Sequence, residues 1–297
     1  MKPASFDYHR VDSVEEALER LADLGEDAKV LAGGQSLVPM MNFRLVRPPS
    51  LVDIGPIPDL KYVFRDGDAL RIGALTLHRE VEQLDVPEIV AGFEVLSDAA
   101  RFVGHYPIRT RGTFGGSIAH ADPAAEWCML AVLLDAEVVV VGPAGERVIP
   151  AGDFFLSFFT TTLEPGELVI EVRFPRPTPH AALSEFARRH GDFAIVAAAV
   201  ALKLDGDSCR EARVVVGGVD EVPLRVPAAE EILTGSELDA DALAAAGREA
   251  AEAIDPPADI HGPSEYRRDL ADVLIRRAVA EALERGRGES RDGEDGG

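Results

Sequence analysis

The chain has 297 residues, 46% of them hydrophobic, which is enough to bury at least one full core and favours two domains over one. Thirty basic side chains against 52 acidic ones give a formal charge of -22, and no local basic patch offsets a field that repels polyphosphates, so a nucleic-acid partner is not expected. Two cysteines, Cys128 and Cys209, stand far apart and outside any CxxC, too few for a protein-bound iron–sulfur cluster with its usual set of about four.

The start, MKPASFDYHR, has no long apolar stretch after its basic residue, so neither a signal peptide nor a lipid anchor is expected. Val14–Leu24 reads as an amphipathic helix with Val14, Ala17, Leu18, Leu21 and Leu24 on one face. Residues 28–32 read as a short buried strand that runs into Gly33 and Gly34. A helix follows from Leu37 and is bounded by Pro48 and Pro49, and residues 51–54 form the next strand. This βαβ-like opening predicts a small α/β subdomain with parallel strands.

Residues 62–65 and Ala69–Gly73 read as a hairpin around Asp66-Gly67. A helix over 88–103 leads through a loop with Pro107 to GTFGGSIAHADPAAEW, then to an apolar helix over 128–134 and strands over 137–141 and Leu168–Phe174. The longest apolar run, from Cys128 to Gly142, is broken by Asp135 and Glu137 and is too short to span a bilayer, so a cytoplasmic location is expected. Residues 176–180, RPTPH, read as a linker. Beyond it come antiparallel strands over 194–204 and 212–216 around Asp205-Gly206, and helices over 240–254 and 263–285. The tail from Gly286 has no hydrophobic residue and is expected to be disordered.

Two glycine clusters carry the functional reading. In VLAGGQSL a strand enters Gly33-Gly34 and a helix begins after Ser36, so consecutive N–H groups can turn toward one point and form an anion cradle. Ser36 can add its hydroxyl or cap the helix, and for this cluster alone a tight strand-to-helix turn is the plainer reading. GTFGGS offers a second approachable backbone at Thr113, Gly115, Gly116 and Ser117. Two cradles point to a dinucleotide wedged between two subdomains. Neither cluster is GxGxxG with an acid about 20 residues further on, which disfavours a Rossmann fold.

His120, Asp122 and Glu126 follow the second cluster with Pro123 between them, and their spacing fits no zinc or facial-triad pattern. A ribose-binding carboxylate suits Glu126 at a helix start, solvated capping is the bland alternative for both acids, and His120 reads as a loop histidine.

LAGGQSLVPMMNFRL, TFGGSIAHADPAAE and RRHGDFAIVAAAVAL, in that order and spacing, resemble the FAD-binding medium subunit of carbon monoxide dehydrogenase and its relatives in the xanthine dehydrogenase family. The resemblance implies an α+β fold. A two-subdomain FAD-binding domain of the vanillyl-alcohol oxidase (PCMH) type would span 1–177, with subdomains about 1–55 and 56–177. A C-terminal domain with a three-stranded antiparallel sheet and helices would span 178–285, leaving 286–297 as the tail. It places the pyrophosphate loop on Ala32, Gly33, Gly34, Gln35 and Ser36, with Val30, Leu31 and Leu37 at its edges. The second loop falls on Thr113, Phe114, Gly115, Gly116 and Ser117, and the ribose acid on Glu126, with Asp122 in the same loop.

Val103 and Val169 match apolar positions lining the flavin site. Phe193 aligns with an aromatic over the isoalloxazine, although a strand residue in the C-terminal core is the alternative for it. Many relatives carry a lysine near Glu185, where this chain reverses the charge.

The family implies non-covalent FAD here, and molybdopterin and two [2Fe–2S] clusters only in partners. Those partners are a molybdenum-binding large subunit and an iron–sulfur small subunit, in a dimer of heterotrimers. FAD would pass electrons to an external acceptor, with no catalytic acid, base or metal on this chain and no membrane insertion. Arg109 and Arg111 could steer an anionic acceptor or be solvated loop arginines. The rivals are a free-standing flavin oxidoreductase and an assembly module that has lost FAD. The substrate, whether carbon monoxide, a purine, an N-heterocycle or an aldehyde, is not written in this chain.

Overall fold

The computed structural model describes residues 2–286. Three parallel strands, β1 (Asp7–Arg10), β2 (Ala28–Leu31) and β3 (Ser50–Asp53), form the first sheet in the order β1-β3-β2. β1 was not expected, because DYHR is polar and largely exposed and carries no apolar alternation. The helix Val14–Leu24 joins β1 to β2. Ser13 Oγ accepts the Glu16 N–H at 3.1 Å at its start, and Gly25, at φ 72°, ends it. Its Ala17 and Leu21 pack with Val11, Val52 and Ile54, and this small core continues into Leu75 and Leu168 of the next sheet.

The second sheet holds β4 (Val63–Asp66), β5 (Ala69–Gly73), β6 (Glu137–Gly142), β7 (Gly145–Pro150) and, at its centre, the strand Leu168–Phe174, all paired antiparallel in the order β4-β5-central-β6-β7. Glu171 on the central strand is buried and takes hydrogen bonds from Tyr62 Oη at 2.6 Å, Arg71 Nε at 2.8 Å and Arg173. The helix Glu126–Leu133 is apolar on every side, and Trp127 through Leu133 are all buried. It packs on the C-terminal sheet and shares one core with the second sheet, the burial that a helix without a polar face requires.

The hairpin of β8 (Phe155–Ser157) and β9 (Thr160–Thr161) is a separate two-stranded sheet, the central strand above is β10, and the C-terminal sheet is β11 (His180–Phe186), β12 (Val196–Asp205) and β13 (Ser208–Gly217). A two-residue β14 (Leu224–Arg225) adds to the edge of the three long strands and makes the sheet four-stranded. Alternation divides its side chains. Ala181, Leu183, Ala197, Ala199 and Val215 join the large core, while Ala182, Ala198, Val200, Val214 and Val216 meet the helices Pro227–Leu233, Ala240–Ala253 and Ser264–Gly286.

Two expectations are corrected. The helix over 88–103 is two helices, Pro87–Val90 and Glu94–Ala100, broken at Gly92 with φ 79°. The break is where residues 176–180 dock: Thr178 N–H donates to Gly92 O at 2.6 Å, and a Cβ on Gly92 would stand 2.4 Å from Pro177 Cβ. That segment, expected as a linker, is a packed connection that leads into β11. The helix from Leu37 stops at Asn42, because Arg44 turns left-handed at φ 59° and Leu45 N–H reaches back to Met40 O. Residues 287–297 of the tail lie outside the described residues. No helix among the described residues is long and apolar enough to cross a membrane.

Candidate functional site

β2 is the edge strand of its sheet, and the chain leaves it through Gly33 and Gly34. Gly34 adopts φ 69°, Gln35 Nε2 donates to Gly33 O at 2.9 Å, and Val38 N–H donates to Gly34 O at 3.0 Å. The backbone N–H groups of Gly33, Gly34, Gln35, Ser36 and Leu37 find no acceptor among the described residues, and all five residues are half-buried. Ser36 makes no capping bond, so its hydroxyl is also uncommitted. Val30, Leu31 and Ala32 are half-buried on the approach.

The second turn is built differently. Phe114 N–H donates to Thr76 O at 2.8 Å, Gly115 N–H to Ala74 O at 2.9 Å, Gly116 N–H to Thr113 Oγ1 at 3.2 Å and Ser117 N–H to Thr113 O at 3.1 Å. These amides belong to the fold, which corrects the expectation of a second open backbone cradle. Gly115 is glycine because a Cβ would stand 2.5 Å from Ala74 Cβ. Phe114 is fully buried against Trp127, at 4.6 Å between ring centroids.

The two turns meet. A Cβ on Gly33 would stand 2.2 Å from Arg111 O and 2.8 Å from Gly112 Cα, and one on Gly116 would face Ala32 Cβ at 3.9 Å. Beneath them lies His78, buried, whose Nδ1 accepts from Trp127 Nε1 at 2.9 Å. Burial, then the Arg109 charge, lower its pKa to about 4, so the ring is neutral and its proton belongs on Nε2. A Cβ on Gly112 would meet that nitrogen at 2.6 Å. Sequence reading passed over His78, since a lone histidine in LTLHREVE carries no signal.

Arg109 is buried, donating to Glu82 at 2.9 Å and to Gly104 O at 2.7 Å, so it is neither a steering group nor a solvated loop arginine. Arg111 is exposed. Asp122 Oδ1 accepts the Ala124 N–H at 2.9 Å in a turn entered through left-handed Ala121. Glu126 is the first residue of its helix, and burial, with Asp122 adding, raises its carboxyl to about 7. His120 stacks near Phe159 at 5.0 Å. Among the described residues no group of three or more His, Cys, Asp or Glu side chains could hold a metal.

Val103 and Val169 are buried in the same apolar core as Phe114. Phe193 is 75% exposed in the loop between β11 and β12, which rules out the core-strand alternative. That loop leans on the segment preceding the second turn: at Gly191, φ 85°, a Cβ would stand 2.1 Å from His105 Nδ1.

The description "FAD binding domain in molybdopterin dehydrogenase" matches residues 4–177, and "CO dehydrogenase flavoprotein C-terminal domain" matches residues 181–282. The 6-hydroxypseudooxynicotine dehydrogenase complex subunit alpha of Paenarthrobacter nicotinovorans is 44% identical, over 97% of this chain and 97% of that one. The carbon monoxide dehydrogenase medium chain of Afipia carboxidovorans is 39% identical, over 96% and 99% of the two chains. A solved carbon monoxide dehydrogenase from Hydrogenophaga pseudoflava superposes with a TM-score of 0.91 at 36% identity, over 96% of this chain and 99% of that one. With nearly its whole length matched by both domains and by relatives of this kind, the chain belongs to the family of FAD-binding medium subunits of molybdenum hydroxylases and is an oxidoreductase subunit.

Proposed function

We propose that this chain holds FAD non-covalently in the cleft between its two N-terminal subdomains and relays electrons from a partner's [2Fe–2S] clusters to an external acceptor. The observation that carries the reading is the run of uncommitted amides from Gly33 to Leu37. Amides left unpaired in a half-buried turn need an acceptor, and a pyrophosphate supplies several at once. Ser36 Oγ adds a donor. In this reading Gly116 faces Ala32 so that the second turn closes the cleft, with Thr113 and Ser117 placing hydroxyls on its far wall. Glu126 and Asp122 serve the sugar end, Val103 and Val169 the apolar wall of the flavin, and exposed Phe193 its open face. FAD, when bound, supplies a redox centre that accepts electrons singly and releases them in pairs. The protein excludes water from the inner face and leaves the outer one to the acceptor.

The FAD-binding domain takes residues 1–177 and the C-terminal domain 178–285. The molybdenum cofactor and iron–sulfur clusters belong to large and small partner subunits in a dimer of heterotrimers, since two buried cysteines cannot ligate a cluster here. Relatives named as a medium chain and as a subunit of a dehydrogenase complex support this assembly. The test is purification of the native complex with flavin and metal analysis of the separated chains. One FAD per copy of this chain, with iron and molybdenum confined to the partners, is expected; a catalytic metal bound to this polypeptide overturns the reading.

A further inference from the structure

The segment that follows the open turn is apolar yet joins no core. Its helix, Leu37–Asn42, buries only Met41, and Val38, Phe43 and Leu45 are 42%, 66% and 75% exposed. No hydrophobic side chain of residues 37–46 belongs to any hydrophobic core of the described residues. The surface is nonetheless held in one shape. Arg44 N–H donates to Met41 O at 2.9 Å, Leu45 N–H to Met40 O at 2.9 Å, and Arg47 Nε to Arg44 O at 3.3 Å. Arg44 is left-handed at φ 59°, a strained state for a non-glycine residue that persists only where its surroundings enforce it. Several exposed rings lean on a neighbour, such as Tyr106 under Arg79 at 4.5 Å and Phe186 beside Tyr266 at 6.3 Å. Phe43 has no ring or cation against it among the described residues.

Charge marks the same place. In a chain with 52 acidic side chains, residues 28–52 hold none, and Lys29, Arg44 and Arg47 lie among them. All three are exposed and meet no carboxylate among the described residues. The same is true of Arg111, whose carbonyl oxygen would stand 2.2 Å from a Cβ on Gly33 at the other side of the turn. An exposed apolar patch with arginines at its rim has the make-up of a protein–protein interface. A net charge of -22 repels acidic proteins from the rest of the surface, so an acidic partner is steered to this part of it. A second copy of the chain fits worse, because a two-fold contact through the patch brings the unpaired arginines of both copies into one interface.

We infer that segment 37–47 is the docking face for the electron-donating iron–sulfur partner, which presents there an apolar patch rimmed by Asp and Glu. The face begins at the cofactor turn, since a Cβ on Gly34 would stand 3.2 Å from Val38 Cγ2, and a chain seated on it comes close to the cofactor. This rests on the FAD and partner reading above.

The test begins with amide hydrogen exchange in the FAD-loaded full chain, free and in the native complex. Amides of residues 43–47 should exchange about tenfold more slowly in the complex. Equal exchange overturns the docking face, and because it is read on wild type, a variant that misfolds does not shield the proposal. Leu45→Asp alters a side chain outside every core of the described residues; it should melt at the wild-type temperature and bind its partners about tenfold more weakly. Leu156→Asp, at a leucine 58% exposed on β8, should bind them as wild type. Arg47→Glu should slow association about tenfold at low salt and flatten its dependence on ionic strength. Wild-type binding by both Leu45→Asp and Arg47→Glu sinks the proposal. A photoreactive phenylalanine analogue in place of Phe43 should capture the iron–sulfur subunit, and capture of the molybdenum subunit or of a second copy of this chain overturns it. FAD is measured throughout. Variants that keep their partners but lose FAD place the segment in the cofactor site instead, whereas a wild-type complex without flavin is the failure of the cofactor reading itself.

Discussion

The turns AGGQS and TFGGS are near-twins in composition, yet their amides have opposite fates. After edge strand β2 no acceptor meets the turn's amides, and five consecutive N–H groups remain open among the described residues. After Gly112 the chain threads between Ala74, Thr76 and its own helix, and the amides of Phe114 to Ser117 are all taken. Glycine serves two ends: in the first turn it permits a left-handed backbone and contact with Arg111 O, and in the second it lets a helix press onto the end of β5. One turn leaves its amides open, and the other spends its own on holding the fold together.

The strongest way to break this contrast is Gly115→Val. Its Cβ would stand 2.5 Å from Ala74 Cβ and 2.7 Å from Ala74 Cα, and backbone cannot step aside. A loss of about 3 kcal/mol in unfolding free energy is expected, the upper range for overpacking a core. Urea melts check it, and wild-type stability in this variant would mean that the second turn is no scaffold.

A pH titration sharpens the same point through His78. Its folded pKa, lowered to about 4 by burial and by Arg109, lies below the ordinary 6.5. The folded state thus binds fewer protons than the unfolded one. Stability from this group is complete above about pH 6.5, falls as pH drops, and is fully lost only below about pH 4, a total of about 3 kcal/mol. His78→Gln, which keeps an acceptor for Trp127 Nε1, should flatten that part of the profile. An identical acid limb in the variant would place the sensitivity elsewhere, and not at buried Glu171. Burial pushes that carboxyl up, but bonds from Arg71, Tyr62 and Arg173 leave it lowered, so its contribution is lost only below the ordinary carboxylate range.

Much of the contrast was invisible in sequence, for a physical reason. Periodicity exposes an element's faces, so Val14–Leu24, the hairpin at Asp66-Gly67 and the apolar helix ending at Leu133 were legible. A glycine's residue type does not say whether its N–H will be paired, because the partner lies far along the chain: Ala74 and Thr76 for the second turn, none for the first. Arg109 could not be told from a solvated arginine until Glu82 and Gly104 were seen around it. The break at Gly92 depends on Pro177, 85 positions away by number, and local propensity cannot anticipate it. Glu185 is legible in sequence as an odd charge in the ALSEF strand, but only the fold shows its Oε2 buried without a hydrogen-bond partner.

The smallest effects divide the two turns most cleanly, because one hydroxyl begins each helix. Thr113 Oγ1 accepts the Gly116 N–H at 3.2 Å and caps its helix, whereas Ser36 makes no such bond. Thr113→Val keeps the shape and removes the acceptor, leaving the Gly116 amide unpaired; about 1 kcal/mol of stability should go, and Thr113→Ser should restore it. Ser36→Ala removes a hydroxyl that the fold does not use, so its melting temperature should stay at the wild-type value. If that hydroxyl meets the pyrophosphate, FAD affinity should fall about fivefold, a change worth roughly 1 kcal/mol for one hydrogen bond. Calorimetry and flavin titration on the two variants read both quantities. Should Ser36→Ala lower stability and leave affinity unchanged, the first turn is scaffold like the second, and the open amides beside it lose their assigned role.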